Sequence, residues 1–338
     1  MEKINILMAT YNGRRFLKKQ IDSILNQTYS NFRLLISDDA STDSTVKILE
    51  EYEKQDKRVE IYSHEKNMGV VANFEFLINK VRSEYFMFAD QDDVWEPDKI
   101  EKSLKKMEET GSDLVFTDLE VVDSRLRPIH PSFWRQKGFY DKIVKYHNFE
   151  SLYLNNYING CTMLCKSSYI NDFLPLPKDS KYVIHDYWIA LVISQNGTIS
   201  YVDEPTVKYR QHGNNQIGST RKSDTLETLD EIRDLFIQVK IEHFETFVKN
   251  EKVFKSKEIQ LLNRESLAYY KDLKNKNNFN FKNWKLFFKL YKYEDFKYKM
   301  LNFFILNMPA LARIAFKIKK KRDNKNLESQ EASKDEKK

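Results

Sequence analysis

Residues 85–93 read Tyr-Phe-Met-Phe-Ala-Asp-Gln-Asp-Asp, so that a run of apolar residues passes directly into acidic ones. The apolar run, Tyr85 to Ala89, has the length and composition of a buried strand. Two earlier runs end in the same way, since Ile4 to Ala9 passes into Thr-Tyr-Asn-Gly and Phe32 to Ser37 passes into Asp-Asp-Ala-Ser. Polar residues behind successive buried strands are typical of an open α/β sheet, in which ligands bind beyond the carboxyl ends of the strands.

Segments with helical spacing separate these strands. Arg14 to Gln27 places its large apolar residues on one face, and a cluster of N-cap residue types precedes the helix predicted at Thr45–Lys54. The pattern also predicts helices at Val70–Val81 and Pro97–Glu109, and strands at Val59–Ser63 and Asp113–Thr117. This alternation of strand and helix predicts a mostly parallel sheet with helices on both faces.

The alternation weakens after about Phe149. Cys161 to Cys165 is a short apolar run, His185 to Ser194 is predicted as a helix and Thr198 to Tyr209 as a strand. From Asp224 onward, apolar residues recur at helical spacing. We therefore predict an α/β domain over residues 1–223, a helical extension over 224–278, a basic aromatic segment over 279–322 and a disordered charged tail over 323–338.

The composition is that of a compact globular protein of 338 residues, with a formal net charge of +6 concentrated near the C-terminus. We expect no nucleic acid among its partners. The two cysteines, Cys161 and Cys165, lack a further Cys or His cluster to complete a metal site, so we expect reduced, buried thiols. We expect no signal peptide, because the first residues run directly into a predicted strand, and no apolar run reaches the about 20 residues that span a bilayer. These features predict a cytoplasmic protein unless its tail binds a membrane.

Asp90, Asp92 and Asp93 place three carboxylates within a four-residue stretch. Like charges this close repel one another, and a cation relieves the repulsion. Mg²⁺ or Mn²⁺, held by one or two carboxylates and by substrate phosphate oxygens, is one interpretation. A solvated acidic turn before the helix that begins near Pro97 is the alternative. Residue spacing alone leaves both open.

The other two polar clusters also carry groups suited to a nucleotide. Asp38 and Asp39 can accept hydrogen bonds from a base or a ribose hydroxyl, and the ring of Tyr11 can stack on a base. Turn and capping roles are the alternative for each cluster taken alone. Their recurrence at the ends of successive strands favours a shared binding site.

Three motifs resemble those of the family 2 glycosyltransferases, which have the GT-A fold. They read Ile-Leu-Met-Ala-Thr-Tyr-Asn-Gly at residues 6–13, Leu-Leu-Ile-Ser-Asp-Asp-Ala-Ser-Thr-Asp at 34–43 and Phe-Ala-Asp-Gln-Asp-Asp-Val-Trp at 88–95. Their order and separation agree, and the resemblance extends over about residues 3–220. His-Asp-Tyr-Trp at 185–188 and Tyr-Arg-Gln-His-Gly-Asn-Asn-Gln-Ile-Gly at 209–218 resemble the branch that contains rhamnosyltransferases of bacterial cell-wall and capsular polysaccharides.

The resemblance implies roles for particular residues and a divalent metal, Mn²⁺ or Mg²⁺. Asp186 lies where the family places its catalytic base, and the alternative is that it caps the helix that follows. His212 as an ordinary loop histidine, and Arg210 paired with a surface carboxylate, are alternatives as well. By matching position, the donor-binding residues are Thr10, Tyr11, Asp38, Asp39, Asn67, Asp90 and Arg210, and the metal ligands are Asp90, Asp92 and His212.

The sequence gives fewer indications of which residues bind the acceptor. Residues 157–160, which end at Gly160, are expected to form part of the acceptor wall, together with His185. The rings of Trp95 and Trp188 can stack on sugar faces, although most buried aromatic residues only fill the core.

Residues 279–322 mix aromatic and basic side chains and end in a basic run from Lys317 to Arg322. Apolar residues on one helix face with lysines on the other are typical of a helix in the membrane interface, and terminal lysines attract anionic lipid. We therefore expect peripheral contact with the inner face of the cell membrane. A helical hairpin packed on the rest of the protein, or a dimer contact, is the alternative.

Together these features predict an inverting, metal-dependent glycosyltransferase that moves a sugar onto a saccharide or lipid-linked acceptor in bacterial surface polysaccharide synthesis. The resemblance favours dTDP-L-rhamnose as the donor, with a UDP-hexose as the alternative. A nucleotide-binding oxidoreductase is disfavoured, because no Gly-x-Gly-x-x-Gly follows the first strand. A non-catalytic protein that binds nucleotide sugars is disfavoured as well, since it has no need of Asp92, Asp186 and His212 together.

Overall fold

A computed structural model describes residues 3–212, 228–275 and 281–314 of the chain. The strands in these ranges are β1 (Ile4–Thr10), β2 (Phe32–Asp38), β3 (Val59–Ser63), β4 (Tyr85–Ala89), β5 (Val94–Trp95), β6 (Leu114–Val122), β7 (Pro128–His130), β8 (Leu164–Lys166) and β9 (Ile199–Arg210). The helices are α1 (Leu17–Leu25), α2 (Thr45–Gln55), α3 (Val70–Ile78), α4 (Lys99–Thr110), α5 (Phe133–Lys137), α6 (Tyr140–Tyr146), α7 (Phe149–Leu152), α8 (Ile170–Phe173), α9 (His185–Asn196), α10 (Leu229–Lys249), α11 (Lys257–Lys274), α12 (Phe281–Leu290) and α13 (Phe296–Asn307).

Within the described ranges, nine strands form one sheet in the order β3-β2-β1-β4-β8-β6-β9-β5, and β7 pairs with β6. β3, β2, β1 and β4 run parallel to one another, as do β6 and β9. β8 is antiparallel to both of its neighbours, and β5 is antiparallel to β9. This mixed but mostly parallel sheet confirms the α/β fold predicted from the alternation of strand and helix.

The central strands are buried on both faces, which is why their sequences are continuously apolar. Ile6 and Met8 of β1 pack into one core with residues of α1, α2 and α4. Phe88 of β4 points to the opposite face, where its ring lies 5.2 Å from that of Phe74 in α3. Helices therefore cover both faces of the sheet, as predicted.

Parallel strands bring their carboxyl ends to one edge of the sheet, and the polar clusters follow there. Thr10 ends β1, Asp38 ends β2 and Ala89 ends β4. The turn before α3 reaches the same edge through Gly69, whose φ of 85° is a conformation that glycine adopts without strain. The candidate site is thus positioned by the register of the parallel strands.

The described residues divide into two compact units. One lies within Met1–Ser219 together with Asn250–Ser256, and the other within Thr220–Lys249 together with Lys257–Lys338. The second unit contains α10 to α13, which confirms a helical C-terminal region, and its core includes the stacked rings of Phe244 and Tyr270. The domain boundaries predicted after residues 223, 278 and 322 fall outside the described residues and stay predictions.

No helix in the described ranges is both long and apolar enough to cross a bilayer. α12 and α13 lie in the predicted basic aromatic segment, whose last residues, 315–322, are outside the described part of the chain, as are Gly213 to Gly218 and the predicted disordered tail over 323–338. Cys161 and Cys165 are buried and form no disulfide, as predicted.

Candidate active site

A buried hydrogen-bond network around Asp38 joins the carboxyl ends of β1 and β2. Oγ1 of Thr10 donates to Oδ2 of Asp38 at 2.8 Å, and the backbone N–H and hydroxyl of Ser41 donate to the same carboxylate at 2.8 and 2.6 Å. Thr10 and Asp38 are both buried. Both side chains therefore hold the turn after β2, and their contact with the donor stays a prediction.

Asp39 joins the end of β2 to the turn before α3. Its carboxylate accepts hydrogen bonds from the backbone N–H groups of Met68 at 2.7 Å and Gly69 at 2.9 Å. The side-chain amide of Asn67 donates to the backbone carbonyl of Asp39 at 3.2 Å, although 28 residues separate the two. The structure therefore brings together two of the predicted donor-binding residues, Asp39 and Asn67.

Tyr11 is the exposed aromatic residue at this edge, with 45% of its surface accessible. Its backbone N–H donates to Oε1 of Gln91 at 3.0 Å, and its carbonyl accepts from Nε2 of Gln91 at 3.1 Å. A Cβ atom on Gly13 would lie 2.2 Å from Oε1 of Gln91, so the glycine makes room for that side chain. Gln91 was not identified from the sequence. Its role depends on hydrogen bonds to the backbone of Tyr11, which is 80 residues away in the chain.

Asp92 and His212 come together at the acidic loop. Nε2 of His212 lies 2.7 Å from Oδ2 of Asp92, although 120 residues separate them. Both side chains are only partly buried, and the imidazole packs 4.9 Å from the ring of Phe16. The structure thus places two of the three predicted metal ligands in contact.

Asp90, the third predicted ligand, lies among other carboxylates. Burial, together with the negative charges of Asp92 and Asp186, raises the pKa of Asp90 to about 7. A divalent cation would relieve this repulsion, and carboxylate oxygens with one imidazole are a donor set that Mn²⁺ and Mg²⁺ accept. The residues present therefore fit the predicted metal.

Asp93 is fully buried beneath the acidic loop. Its Oδ1 accepts a hydrogen bond from the backbone N–H of Arg210 at 2.9 Å, while its Oδ2 has no hydrogen-bond partner among the described residues. Burial and the nearby carboxylates of Asp92 and Asp90 raise the pKa of Asp93. One potential ligand atom each from Asp90, Asp93 and Cys161 lie within 4.8 Å of one another. No separate role for Asp93 was predicted from the sequence. Its position in the acidic run is the one sequence signal that could have identified it as a site residue.

Arg210 is almost fully buried, with 1% of its surface accessible. Its Nε–H donates to the backbone carbonyl of Asp92 at 2.5 Å and its Nη1 group to that of Ser124 at 3.0 Å, and the guanidinium lies 4.5 Å from the ring centre of Phe16. These contacts correct the prediction that Arg210 binds the donor diphosphate. Arg210 instead ties the end of β9, two residues before His212, to the acidic loop.

Asp186 lies in the first turn of α9, whose N-cap residue is Ile184. Its carboxylate accepts hydrogen bonds from the backbone N–H groups of Gly160 at 3.0 Å and Tyr187 at 2.5 Å. Burial raises the pKa of Asp186 to about 6, and these hydrogen bonds oppose the rise. A carboxylate with such a pKa is suited to accept a proton near neutral pH.

Two predicted acceptor residues, Gly160 and His185, lie beside Asp186. A Cβ atom on Gly160 would lie 3.2 Å from Cβ of Asp186 and 3.2 Å from Nε2 of His185. The imidazole of His185 stacks on Phe74 at 4.2 Å, and burial lowers its pKa to about 3. His185 is therefore neutral at physiological pH and adds no charge beside Asp186.

The rings of Trp95 and Trp188 belong to the protein core. Trp188 is fully buried, and its Nε1–H donates to the backbone carbonyl of Phe173 at 2.9 Å. Trp95 is buried as well, with the ammonium of Lys99 4.7 Å from its ring centre. The prediction that these rings stack on an acceptor sugar is wrong, because neither exposes a face.

Comparison with known proteins adds independent information. The family model described as Glycosyl transferase family 2 matches residues 5–171. The dTDP-rhamnosyl transferase RfbG of Shigella flexneri is 31% identical over 223 residues, which cover 63% of this chain and 74% of RfbG. The chain belongs to glycosyl transferase family 2. The putative teichuronic acid biosynthesis glycosyltransferase TuaG of Bacillus subtilis is 28% identical to this glycosyltransferase over 223 residues, covering 64% of this chain and 82% of TuaG.

Solved structures share the fold of this family 2 glycosyltransferase. Residues 1–349 of Staphylococcus aureus TarS, in complex with UDP-GlcNAc, superpose with a TM-score of 0.54 at 15% identity, covering 86% of this chain and 80% of TarS. The mannosyltransferase PcManGT of Pyrobaculum calidifontis, in complex with GDP-Man and Mn²⁺, has a TM-score of 0.52 at 14% identity, covering 92% of this chain and 86% of that protein. These structures confirm the predicted fold, and the family model together with RfbG confirms the family and the glycosyltransferase activity predicted from the three sequence motifs.

Proposed function

We propose that this glycosyltransferase moves a sugar from a nucleoside diphosphate donor onto a saccharide or lipid-linked acceptor, with inversion, in bacterial surface polysaccharide synthesis. One observation carries the proposal: the buried Asp186, with its raised pKa, lies within electrostatic reach of Asp90 in the loop where Asp92 contacts His212. A base beside a cation site is what sugar transfer from a diphosphate requires. The similarity of this chain to TuaG, a putative teichuronic acid biosynthesis glycosyltransferase, supports a role in polysaccharide synthesis.

The donor we propose is dTDP-L-rhamnose. Its support is the name of the Shigella flexneri relative, a dTDP-rhamnosyl transferase. A UDP-hexose is the second candidate, and the UDP-GlcNAc complex of TarS favours it. In either case the exposed ring of Tyr11 stacks on the base, and Asp39 and Asn67 contact the nucleoside from the adjoining turn.

We propose Asp90, Asp92 and His212 as the residues that hold Mn²⁺ or Mg²⁺, and the Mn²⁺ complex of PcManGT supports a divalent metal. A bound divalent ion would neutralise the negative charge that develops on the departing diphosphate. The chain prepares this arrangement itself, because Arg210 bonds both to Asp93 and to the backbone of Asp92 and so holds His212 against the acidic loop.

Asp186 takes the proton of the acceptor hydroxyl while the hydroxyl oxygen forms its bond to the anomeric carbon. The bond between that carbon and the diphosphate oxygen breaks on the opposite face, so the configuration inverts. A pKa of about 6 leaves Asp186 mostly ionised at neutral pH and makes it a stronger base than an ordinary carboxylate. Gly160 and Tyr187 fix its two oxygens, and the neutral His185 lies on the acceptor side.

The enzyme is further proposed to work as a peripheral protein on the inner face of the cell membrane, where a lipid-linked acceptor is available. The segment over residues 279–322 would provide the contact. Exposed apolar side chains on α13 support this location.

The proposal can be tested by assaying a panel of nucleotide sugars with Mn²⁺, with Mg²⁺ and with excess chelator. We expect release of nucleoside diphosphate from dTDP-L-rhamnose that depends on the metal and is lost in Asp92→Ala. Asp172→Asn, at a surface ion pair with Lys255, is the matched control and should behave as the wild type. Wild-type rates in excess chelator would contradict the metal, and donor binding without turnover on any acceptor would favour a non-catalytic binding protein.

A further inference from the structure

Residues 296–314 concentrate exposed apolar side chains. Of the twelve large apolar side chains that are exposed in the described residues, six lie here: Phe296, Tyr298, Leu301, Phe304, Leu311 and Ile314. Exposed apolar residues that occur singly are ordinary, whereas contiguous sets mark interaction sites. These six residues are called the outer face below.

The outer face exists because α13 is apolar on two sides. On its inner side, Phe303 is buried and lies 5.3 Å from the ring of Trp284 in α12. On the other side Tyr298, Leu301 and Phe304 follow one another at three-residue spacing, which lines them up along the helix surface. One side of α13 is therefore left for a partner.

The chain around the outer face is strongly basic. Residues 281–314 contain seven Lys and Arg against two acidic residues, and residues 315–322, outside the described part, contain five basic residues and no acidic one. A second copy of the chain would bring the same basic side chains together across a two-fold interface, where they repel. An anionic lipid surface supplies both the opposite charge and an apolar layer for the side chains.

We propose that the outer face inserts into the headgroup layer of an anionic bilayer. The proposal rests on the membrane contact proposed above and names the side chains that make it. It also revises the predicted arrangement, because Phe287 and Tyr291, on and directly after α12, are buried within the helical unit. The outer face thus belongs to α13 and the residues after it, while Phe287 and Tyr291 pack within the helical unit and Phe288 of α12 is 44% exposed.

The test is co-sedimentation of the full chain with vesicles of phosphatidylcholine and phosphatidylglycerol, against vesicles of phosphatidylcholine alone. The variant Phe296→Ser with Leu301→Ser removes side chains that are 75% and 56% exposed. The control, Ile129→Ser with Leu261→Ser, removes side chains that are 54% and 57% exposed and lie outside the outer face. We expect the first variant to bind anionic vesicles about tenfold more weakly or worse, and the control to bind as the wild type.

Both variants should keep the wild-type melting temperature, because all four side chains are exposed. Anionic-vesicle affinity of the first variant within about twofold of the wild type would overturn the proposal. A dimer that the same variant converts to monomer, with vesicle binding unchanged, would overturn it too and assign the outer face to a second copy. Turnover of nucleotide sugar, measured separately on the same proteins, tests the proposed enzyme function and not the outer face.

Discussion

Replacing Asp186 by asparagine distinguishes a base from a residue that only supports the fold. In the folded chain this carboxyl is 6% exposed, and burial raises its pKa from 3.8 to about 6. At about 1.4 kcal/mol per pH unit, the difference corresponds to about 3 kcal/mol. Keeping Asp186 ionised therefore lowers the free energy of unfolding by about that amount.

The sign of the pH dependence follows from where the proton is bound. Below pH 3.8 the carboxyl of Asp186 is protonated in both the folded and the unfolded chain, and it has no effect on their balance. Between pH 3.8 and about 6 the unfolded chain releases the proton while the folded chain keeps it, so stability falls as the pH rises. Above about pH 6 the reduction in the unfolding free energy stays constant.

Asp186→Asn removes this pH-dependent loss. Its single carbonyl oxygen cannot accept from both Gly160 and Tyr187, which costs about 1 to 2 kcal/mol at every pH. The unfolding free energy of the variant minus that of the wild type should therefore rise by about 2 to 3 kcal/mol from pH 4 to pH 8. Urea unfolding at a series of pH values measures this difference.

The same variant should transfer sugar about 100-fold more slowly or worse, because asparagine cannot accept the proton. The matched control is Asp172→Asn, which also removes a carboxylate from the first turn of a helix, α8, but at an ion pair with Lys255. A difference in unfolding free energy that does not change with pH would refute the raised pKa of Asp186. Transfer at the wild-type rate would refute its role as the base.

Three further changes examine the neighbouring parts of the site. His212→Ala should raise the Mn²⁺ concentration for half-maximal activity by about tenfold or more, since the proposed ligand beside Asp92 is lost; a metal titration of turnover checks this. Gly13→Ala should weaken donor-nucleotide binding in calorimetry, because its Cβ would displace the Gln91 side chain that holds Tyr11. Arg210→Lys should lower the unfolding free energy by about 2 kcal/mol or more, as the ammonium cannot reproduce the bonds to two backbone carbonyls; unchanged stability would mean that these bonds do not hold the loop.

The parallel half of the sheet was predictable because its strands are buried on both faces. A strand covered on both sides is apolar along its whole length, so β1, β2 and β4 stand out as runs that end in polar residues. The short β8 does not stand out in this way. It is only Leu164–Lys166, and its insertion between β4 and β6 is decided by pairing with distant strands.

The site was predictable to the extent that its chemistry lies in local motifs. Asp92 and His212 were recognised from separate motifs, and the structure brings them into contact. The bond between Arg210 and Asp93 joins residues 117 positions apart, and no local pattern predicts it. The contacts of Arg210 were not predicted for the same reason, because its bonds to the backbone of Asp92 and Ser124 also join distant parts of the chain.

The error at Trp95 and Trp188 has a different cause. An aromatic side chain near a proposed site has the same sequence pattern whether it faces a ligand or the core. Only tertiary packing, such as the bond from Trp188 to the carbonyl of Phe173, separates the two cases.

Titration of the nucleoside diphosphate into the full chain, with and without Mn²⁺, tests most directly whether metal-assisted donor binding and proton removal belong to different residues. At saturating Mn²⁺ the wild type and Asp186→Asn should bind the nucleotide equally well, because the proposed role of Asp186 is to take the proton of the acceptor. Asp92→Ala should show the same weak affinity with and without the metal. Equal, metal-enhanced binding by Asp92→Ala, or loss of nucleotide binding in Asp186→Asn, would contradict this assignment of roles.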